Sequence, residues 1–252
     1  MTKATGNMNP LSMRKMTVEP LSLCEGITAF STLRNCTDRY NPYDGFNACS
    51  YTGDTPEHVA GCRAELPWPS VMPRQTHSLD VFVADTPGEP YGVDAVVSSR
   101  AGLALCVNTA DCVPVVMADP VAKVIAAVHS GWKGTVGRIA ALALREMQRL
   151  GAEPSRVLAA MGPCICADCF EVGEEVASAF REAGLGNAVI DRRPRPHVDL
   201  PEAVAITLAG CGVSRERITM PCGCSRCEPE KWFSARRLGV ESGRTLTVIC
   251  VR

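Results

Sequence analysis

Residues 92–128 read GVDAVVSSRAGLALCVNTADCVPVVMADPVAKVIAAV, and their pattern decides the fold class. Four short apolar runs lie inside this stretch: Ala95–Ser98, Leu103–Asn108, Pro114–Ala118 and Val124–Val128. Gly102, the Thr109–Cys112 segment and the Asp119-Pro120 turn separate them. Brief β-rich runs bounded by turn residues predict strands. A strand with one wet face alternates apolar and polar residues; these runs are almost continuously apolar, which predicts sheet covered on both faces. Downstream the period changes. Thr135 is expected to open a helix whose apolar face is Ile139, Leu142, Leu144, Met147 and Leu150, with Gly151 as its C′ residue.

A second strand-then-helix unit follows, with Val157–Met161 as the strand and Glu171–Glu182 as a helix ending at Gly184. Asp199 reads as the N-cap of a further helix, with Pro201 in its first turn and Gly212 near its end. Leu246–Val251 closes the chain as a strand. Upstream, Phe30–Thr32 and Val81–Val83 read as strands, and Asn41-Pro42, Asp44-Gly45 and Thr55-Pro56 punctuate loops. The basic stretch Asp191–His197 reads as a solvated loop. Residues 1–20 are expected to be a flexible leader, and 21–252 a single domain with no clean linker.

Composition narrows the function. The 252 residues are 46% hydrophobic and 21% charged, enough to bury a substantial core. A formal net charge of -1 excludes a dominant nucleic-acid surface. The longest apolar runs fall well short of the roughly 18 residues that span a bilayer, and the N-terminus has no apolar signal region. The chain therefore reads as cytoplasmic, with neither a membrane nor a nucleic-acid partner, and as a monomer or weak homodimer. In that compartment its 14 Cys are expected to be thiols or metal ligands.

Three segments carry the chemistry: Arg74-Gln75-Thr76-His77-Ser78, Asn108-Thr109-Ala110-Asp111-Cys112-Val113-Pro114, and His129-Ser130-Gly131-Trp132-Lys133-Gly134-Thr135. Each places a borderline-soft ligand beside the end of a predicted strand, where sites are commonly built. Two imidazoles and a thiolate suit zinc, which takes four ligands; three protein ligands leave one position open for chemistry. Copper suits the same donors. A Cys–His nucleophile pair, with His77 or His129 as base, is a further reading. Taken singly, Cys112 reads as a buried apolar thiol and His129, after the run VIAAV, as a core histidine.

The chain resembles the multicopper-oxidase-like laccase-domain family, whose members are also described as polyphenol oxidases or purine nucleoside phosphorylases. The resemblance is carried by FNACSYTGDTPEHV from Phe46, RQTHSLDVFVAD from Arg74, the stretch from Gly92 to Pro120, KVIAAVHSGWKGTVGRIA from Lys123, AAMGPCICADCFEVGEEV from Ala159, and WFSARR with SGR near the C-terminus. It implies an α+β single domain with mixed β-sheets packed between helices in four layers, α-β-β-α. It implies a zinc ion on His77, Cys112 and His129, and phosphorolysis of adenosine, inosine, guanosine and methylthioadenosine together with deamination of adenosine. Copper-dependent phenol oxidation and Cys–His amidase editing of peptidoglycan precursors, with Cys112 as nucleophile, are the alternatives it brings. Phosphorolysis needs cations for phosphate, for which Lys133, Arg236, Arg237 and Arg244 are candidates. It also needs a proton donor for the leaving base, for which Asp111 stands beside Cys112. Asn47 and Gln75 are candidate hydrogen-bonding partners of ribose or base.

The chain departs from the family pattern at four places. Leu33 stands where an Arg is expected after Phe30-Ser31-Thr32, with Arg34 following; Ala48-Cys49 replaces Leu-Gly; Lys133 replaces an Arg; and Ala235 replaces a Tyr. Beyond the trio, Cys164, Cys166 and Cys169 share their spacing with Cys222, Cys224 and Cys227. These triplets suggest a second metal site, a structural zinc ahead of an iron–sulfur cluster, or a set of thiols and disulfides. Cys222, Cys224 and Cys227 are its expected members, since Pro221 and Gly223 set them on a turn.

Overall fold

The computed structural model describes residues 16, 18–21 and 23–252. Along the chain run β1 (Val18–Pro20), β2 (Ile27–Thr32), α1 (Pro56–Ala64), β3 (Ser70–Val71), β4 (Val81–Val83), β5 (Ala95–Ser98), β6 (Ala104–Thr109), β7 (Val113–Asp119) and β8 (Val124–Ser130). Then come α2 (Trp132–Val136), α3 (Ile139–Arg149), β9 (Leu158–Met161), α4 (Glu174–Glu182), β10 (Val189–Ile190), β11 (His197–Val198), α5 (Leu200–Gly210), β12 (Ile218–Thr219), α6 (Ala235–Leu238) and β13 (Thr245–Val251). Most of the expected leader 1–20 lies outside the described residues; its last part, Val18–Pro20, pairs antiparallel with β2.

Two mixed sheets form the centre. One has five strands in the order β1-β2-β13-β6-β3, the other six in the order β12-β9-β7-β8-β5-β4. The continuous apolar runs have a simple cause, because each strand serves two cores. In β7, Val113, Val115 and Met117 point to the core beneath α3, α4 and α5, while Val116 and Ala118 point to the core between the sheets. That second core receives Ala29, Leu105, Val107 and Ile249 from the five-stranded sheet and Val96, Ile125, Ala127 and Ala160 from the six-stranded one. The outer face of the five-stranded sheet presents Phe30, Cys106, Leu246 and Val248 to Phe46, Ala48 and Cys62 of α1. The order is therefore helix, sheet, sheet, helix, as the resemblance implies. Among the described residues no helix is long and apolar enough to cross a membrane.

Three predicted elements shift for local reasons. Thr135 does not open the long helix: α2 begins at Trp132, and the chain breaks at Arg138, in the left-handed region at φ 59°, before α3 starts. The Thr135 hydroxyl is spent on the Gly131 carbonyl at 2.9 Å. The helix expected from Glu171 starts at Glu174, because residues 171–172 bridge to 196–197 instead. Thr55-Pro56 is not loop punctuation; Thr55 caps α1, accepting from the His58 amide at 3.3 Å, and Pro56 occupies the first turn, a start signal for a helix. The Asp199 cap of α5 is present as read, its side chain accepting from the Glu202 amide.

Candidate metal centre

The turn that carries Cys112 joins the two sheets: β6 ends at Thr109 in one and β7 starts at Val113 in the other. His129 is the next-to-last residue of β8, opposite Pro114, and His77 comes from the loop between β3 and β4. One donor atom from each of the three side chains lies within 4.8 Å of the others. Cys112 Sγ is 3.9 Å from His77 Nε2, and the two imidazoles meet edge to face with centroids 4.8 Å apart. His129 is buried, Cys112 half-buried and His77 exposed, so the cluster opens to solvent on one side.

Asp94, which the sequence reading did not single out, organises this cluster. Its fully buried carboxylate accepts from three successive backbone amides, Thr76 (3.1 Å), His77 (3.0 Å) and Ser78 (2.7 Å). Three amides can converge on one anion only if the chain curls, and His77 supplies the curl with φ 59°. The same carboxylate lies 2.7 Å from His129 Nδ1. With Nδ1 protonated and donating to Asp94, Nε2 keeps its lone pair for a metal. Burial pushes the Asp94 carboxyl up, but the bond to His129 and the Ser78 and Thr76 amides outweigh it and hold it below the usual carboxylate range. Its signal in the sequence was a charged residue set against the fully apolar run Ala95–Val97.

Without metal, burial raises the Cys112 thiol, while the His129 and His77 imidazoles beside it more than reverse this and bring it down to about 6. Burial lowers His129 and the Cys112 thiolate and Asp94 raise it, to about 9. The donors fit a zinc ion. Bond lengths of about 2.3 Å to sulfur and 2.0–2.1 Å to nitrogen put tetrahedral S and N ligands about 3.6 Å apart, close to the observed 3.9 Å. Gly131 completes the cradle: a Cβ there would stand 3.0 Å from both Cys112 Sγ and His77 Cδ2.

The other sequence candidates fall in different places. Both carboxylate oxygens of Asp111 are engaged, accepting from the Ser225 hydroxyl and the Arg236 amide at 2.6 Å each. The Arg236 guanidinium donates to the Glu171 carbonyl at 3.0 Å and stacks on Phe170 at 5.3 Å. Arg236 lines an open cleft of about 310 Å³ with Trp132, Phe170, Glu171 and Arg195. The trio does not line that cleft, but Trp132 follows Gly131 and Arg236 is tied to Asp111, next to Cys112. Lys133 is exposed, with Nζ 5.7 Å from the Trp132 ring centroid. Gln75 spends its amide on the Asn108 backbone, donating to O at 2.7 Å and accepting from N at 2.8 Å. Asn47 is fully buried; its amide donates to Asp54 at 2.7 Å and its oxygen accepts from the Cys49 and Arg244 amides. The Arg237 guanidinium donates to the Arg226 carbonyl, and that of Arg244 to the Ser242 and Val240 carbonyls.

Residues 28–252 match the family described as multi-copper polyphenol oxidoreductase laccase. The chain belongs to this family. It is 45% identical over 246 residues to a protein named adenosine deaminase RL5, from an unknown prokaryotic organism, covering 89% of this chain and 94% of that one. It is 42% identical over 216 residues to a purine nucleoside phosphorylase of Deinococcus radiodurans, covering 82% and 83%. Among solved structures, YlmD from Geobacillus stearothermophilus superposes with a TM-score of 0.84 at 26% identity, covering 93% of this chain and 97% of that one. The chain is therefore a member of an enzyme family, with a His–Cys cluster suited to a metal.

Asp94→Asn is expected to weaken metal binding at the trio by about 10- to 100-fold. An amide in that position sets its N–H groups either against His129 Nδ1–H, upsetting the tautomer that frees Nε2, or against the Thr76 and Ser78 amides, upsetting the turn that presents His77. Titration against a competing chelator measures the change; an unaltered affinity would show that Asp94 does not orient the ligand.

Proposed function

We propose that the protein is a zinc-dependent purine nucleoside phosphorylase, accepting adenosine, inosine, guanosine and methylthioadenosine, that also deaminates adenosine. The observation that carries this reading is the convergence of His77, Cys112 and His129 into a three-donor cluster, open on one side, next to a cleft with aromatic walls and cations. Zinc, when bound there, supplies a Lewis acid in the open position.

The chain's own residues provide the rest. Trp132 and Phe170 give the cleft apolar walls for a purine, Phe170 lying beneath the Arg236 guanidinium. Arg236, Arg195 and Lys133 supply positive charge for phosphate. In phosphorolysis a phosphate oxygen bonds to the anomeric carbon, the glycosidic bond breaks, and its electron pair leaves with the purine, which takes up a proton. In deamination water adds at the amino-bearing carbon and ammonia leaves. Asp111 holds the Arg236 backbone in place through its 2.6 Å bond, so its part is positioning.

A multicopper oxidase reading needs more imidazoles than this centre holds. The chain has four His, and among the described residues only His77 and His129 fall in a cluster of metal donors. The deciding experiment separates products by liquid chromatography after incubating zinc-loaded protein with adenosine or inosine, with and without phosphate. Free base and ribose 1-phosphate that require phosphate are the expected products, with inosine from adenosine when phosphate is left out. Unchanged nucleosides under every condition would sink the proposal.

A further inference from the structure

The loop after β9 and the loop before α6 lie side by side and zip together. Cys164 bridges Cys224 in parallel register, the Ser225 amide donates to the Cys164 carbonyl at 2.9 Å, and the Cys166 amide donates to Cys224 Sγ at 3.3 Å. This pairing sets two Cys-x-x-Cys turns face to face: Cys166-Ala167-Asp168-Cys169 and Cys224-Ser225-Arg226-Cys227. The four sulfurs lie within 4.8 Å of one another, with Cys169 and Cys227 3.4 Å apart. The outcome corrects the expectation from spacing, which favoured Cys222 as a member. Cys222 is exposed and stands outside the cluster, and Cys164 is buried in the core beneath the helices. The unit is the Cys-x-x-Cys half of each triplet: Cys164 packs into the core, and Cys222 precedes the pairing, which begins at Gly223.

We infer that Cys166, Cys169, Cys224 and Cys227 form a structural zinc site separate from the His–Cys trio. A tetrahedral ion with sulfur at about 2.3 Å puts its ligands about 3.8 Å apart, compatible with four sulfurs that all lie within 4.8 Å of one another. Four protein ligands close the coordination shell, which marks a structural site; the trio leaves it open, which marks a catalytic one. An iron–sulfur cluster fits less well, since its iron and sulfide core would hold the four ligand sulfurs farther apart. The Cys166 amide already donates to one sulfur, the usual support for a metal-bound thiolate. On binding, the thiol protons pass to solvent as four Zn–S bonds form, and no electron is transferred.

The site has a purpose in the fold. Ser225, inside the second turn, donates to the Asp111 carboxylate at 2.6 Å, and Phe170, directly after the first, forms a wall of the cleft. A four-sulfur ion would lock the two loops together at this edge.

The test counts metal. The full chain, made with zinc and purified under reducing conditions, is analysed by native mass spectrometry and elemental analysis. The wild type is expected to carry about two zinc ions per chain, and both Cys112→Ala and the double variant Cys166→Ser/Cys227→Ser about one. Cobalt-substituted protein should show intense sulfur-to-cobalt absorption that survives Cys112→Ala and disappears in the double variant. If the double variant does not fold, peptide mapping of wild type serves instead: the four thiols should resist iodoacetamide until a chelator is added. About one zinc per chain in wild type, unchanged by Cys166→Ser/Cys227→Ser, would overturn the site. So would iron with acid-labile sulfide, or a Cys169–Cys227 disulfide after purification with reductant. These outcomes leave the trio untouched, so this inference and the proposed activity fail independently.

Discussion

Cys112→Ala is expected to lower turnover of both nucleoside reactions by about 10³-fold, because a metal at the reacting centre contributes several kcal/mol and each 1.36 kcal/mol is tenfold. Compared without metal, its melting temperature should stay within about 4 °C of wild type, since a small half-buried side chain at a strand entry is worth roughly 1 kcal/mol in a chain of this size. The same residue gives a pH signature in metal-free protein. The thiolate is the reactive form, and the neighbouring imidazoles bring this thiol down to about 6. Iodoacetamide labelling of Cys112 should therefore rise with pH through about 6 and level off by neutrality, and zinc should suppress it. A labelling curve that climbs only near pH 8 to 9, as for an ordinary thiol, would mean that the imidazoles do not act on the sulfur. Turnover by metal-free enzyme that iodoacetamide abolishes would shift the chemistry to a Cys–His nucleophile.

Much of this arrangement could be read from the residues, and the parts that could not share a cause. The strands of residues 92–130 were legible because covering a sheet on both faces leaves an unbroken apolar run. Which core each residue serves was not legible: Val115 and Val116 look alike in sequence and face opposite layers. The metal donors were visible as the chain's rare imidazoles beside strand ends. Asp94 was not, because its role depends on amides that only a left-handed turn at His77 gathers. Gln75 and Asn47 read as free polar groups, yet Gln75 is spent on the Asn108 backbone 33 positions away, and Asn47, besides Cys49 and Asp54 nearby, takes the Arg244 amide 197 positions away. The repeated Cys spacing signalled a site, but the choice of four sulfurs among six followed from how two loops pair. Local pattern reports which surfaces are buried; long-range hydrogen bonding decides which polar groups remain for function.

Arg34→Met is expected to destabilise the fold by about 3–5 kcal/mol, the scale of removing one partner from a buried charged network. Arg34 is 0% exposed, although it directly follows Leu33, the residue that stands where the family pattern has an arginine. Its guanidinium donates to the carbonyls of Asn41 at 2.6 Å, Pro229 at 2.7 Å and Asp44 at 3.0 Å, and lies over the Phe233 ring at 4.8 Å. Its backbone joins the same two loops, its N–H donating to the Lys231 carbonyl and its carbonyl accepting from the Phe46 amide. Gly45 must be glycine for this contact: its φ is 124°, and a Cβ there would sit within 3 Å of the Arg34 backbone. Methionine keeps the stem's packing but takes the guanidinium away from the buried Asp44 and Pro229 carbonyls, each an unmet hydrogen bond of about 1–3 kcal/mol before relaxation, and from the half-buried Asn41 carbonyl, which keeps the Asp44 amide. At about 2–4 °C per kcal/mol the melting temperature should fall by roughly 6–20 °C. Arg34→Lys should recover little, because an ammonium cannot fork to carbonyls in different directions. Thermal and urea unfolding measure both variants. A loss below about 1 kcal/mol for Arg34→Met would mean that water replaces the guanidinium and that these loops are held by their apolar contacts alone.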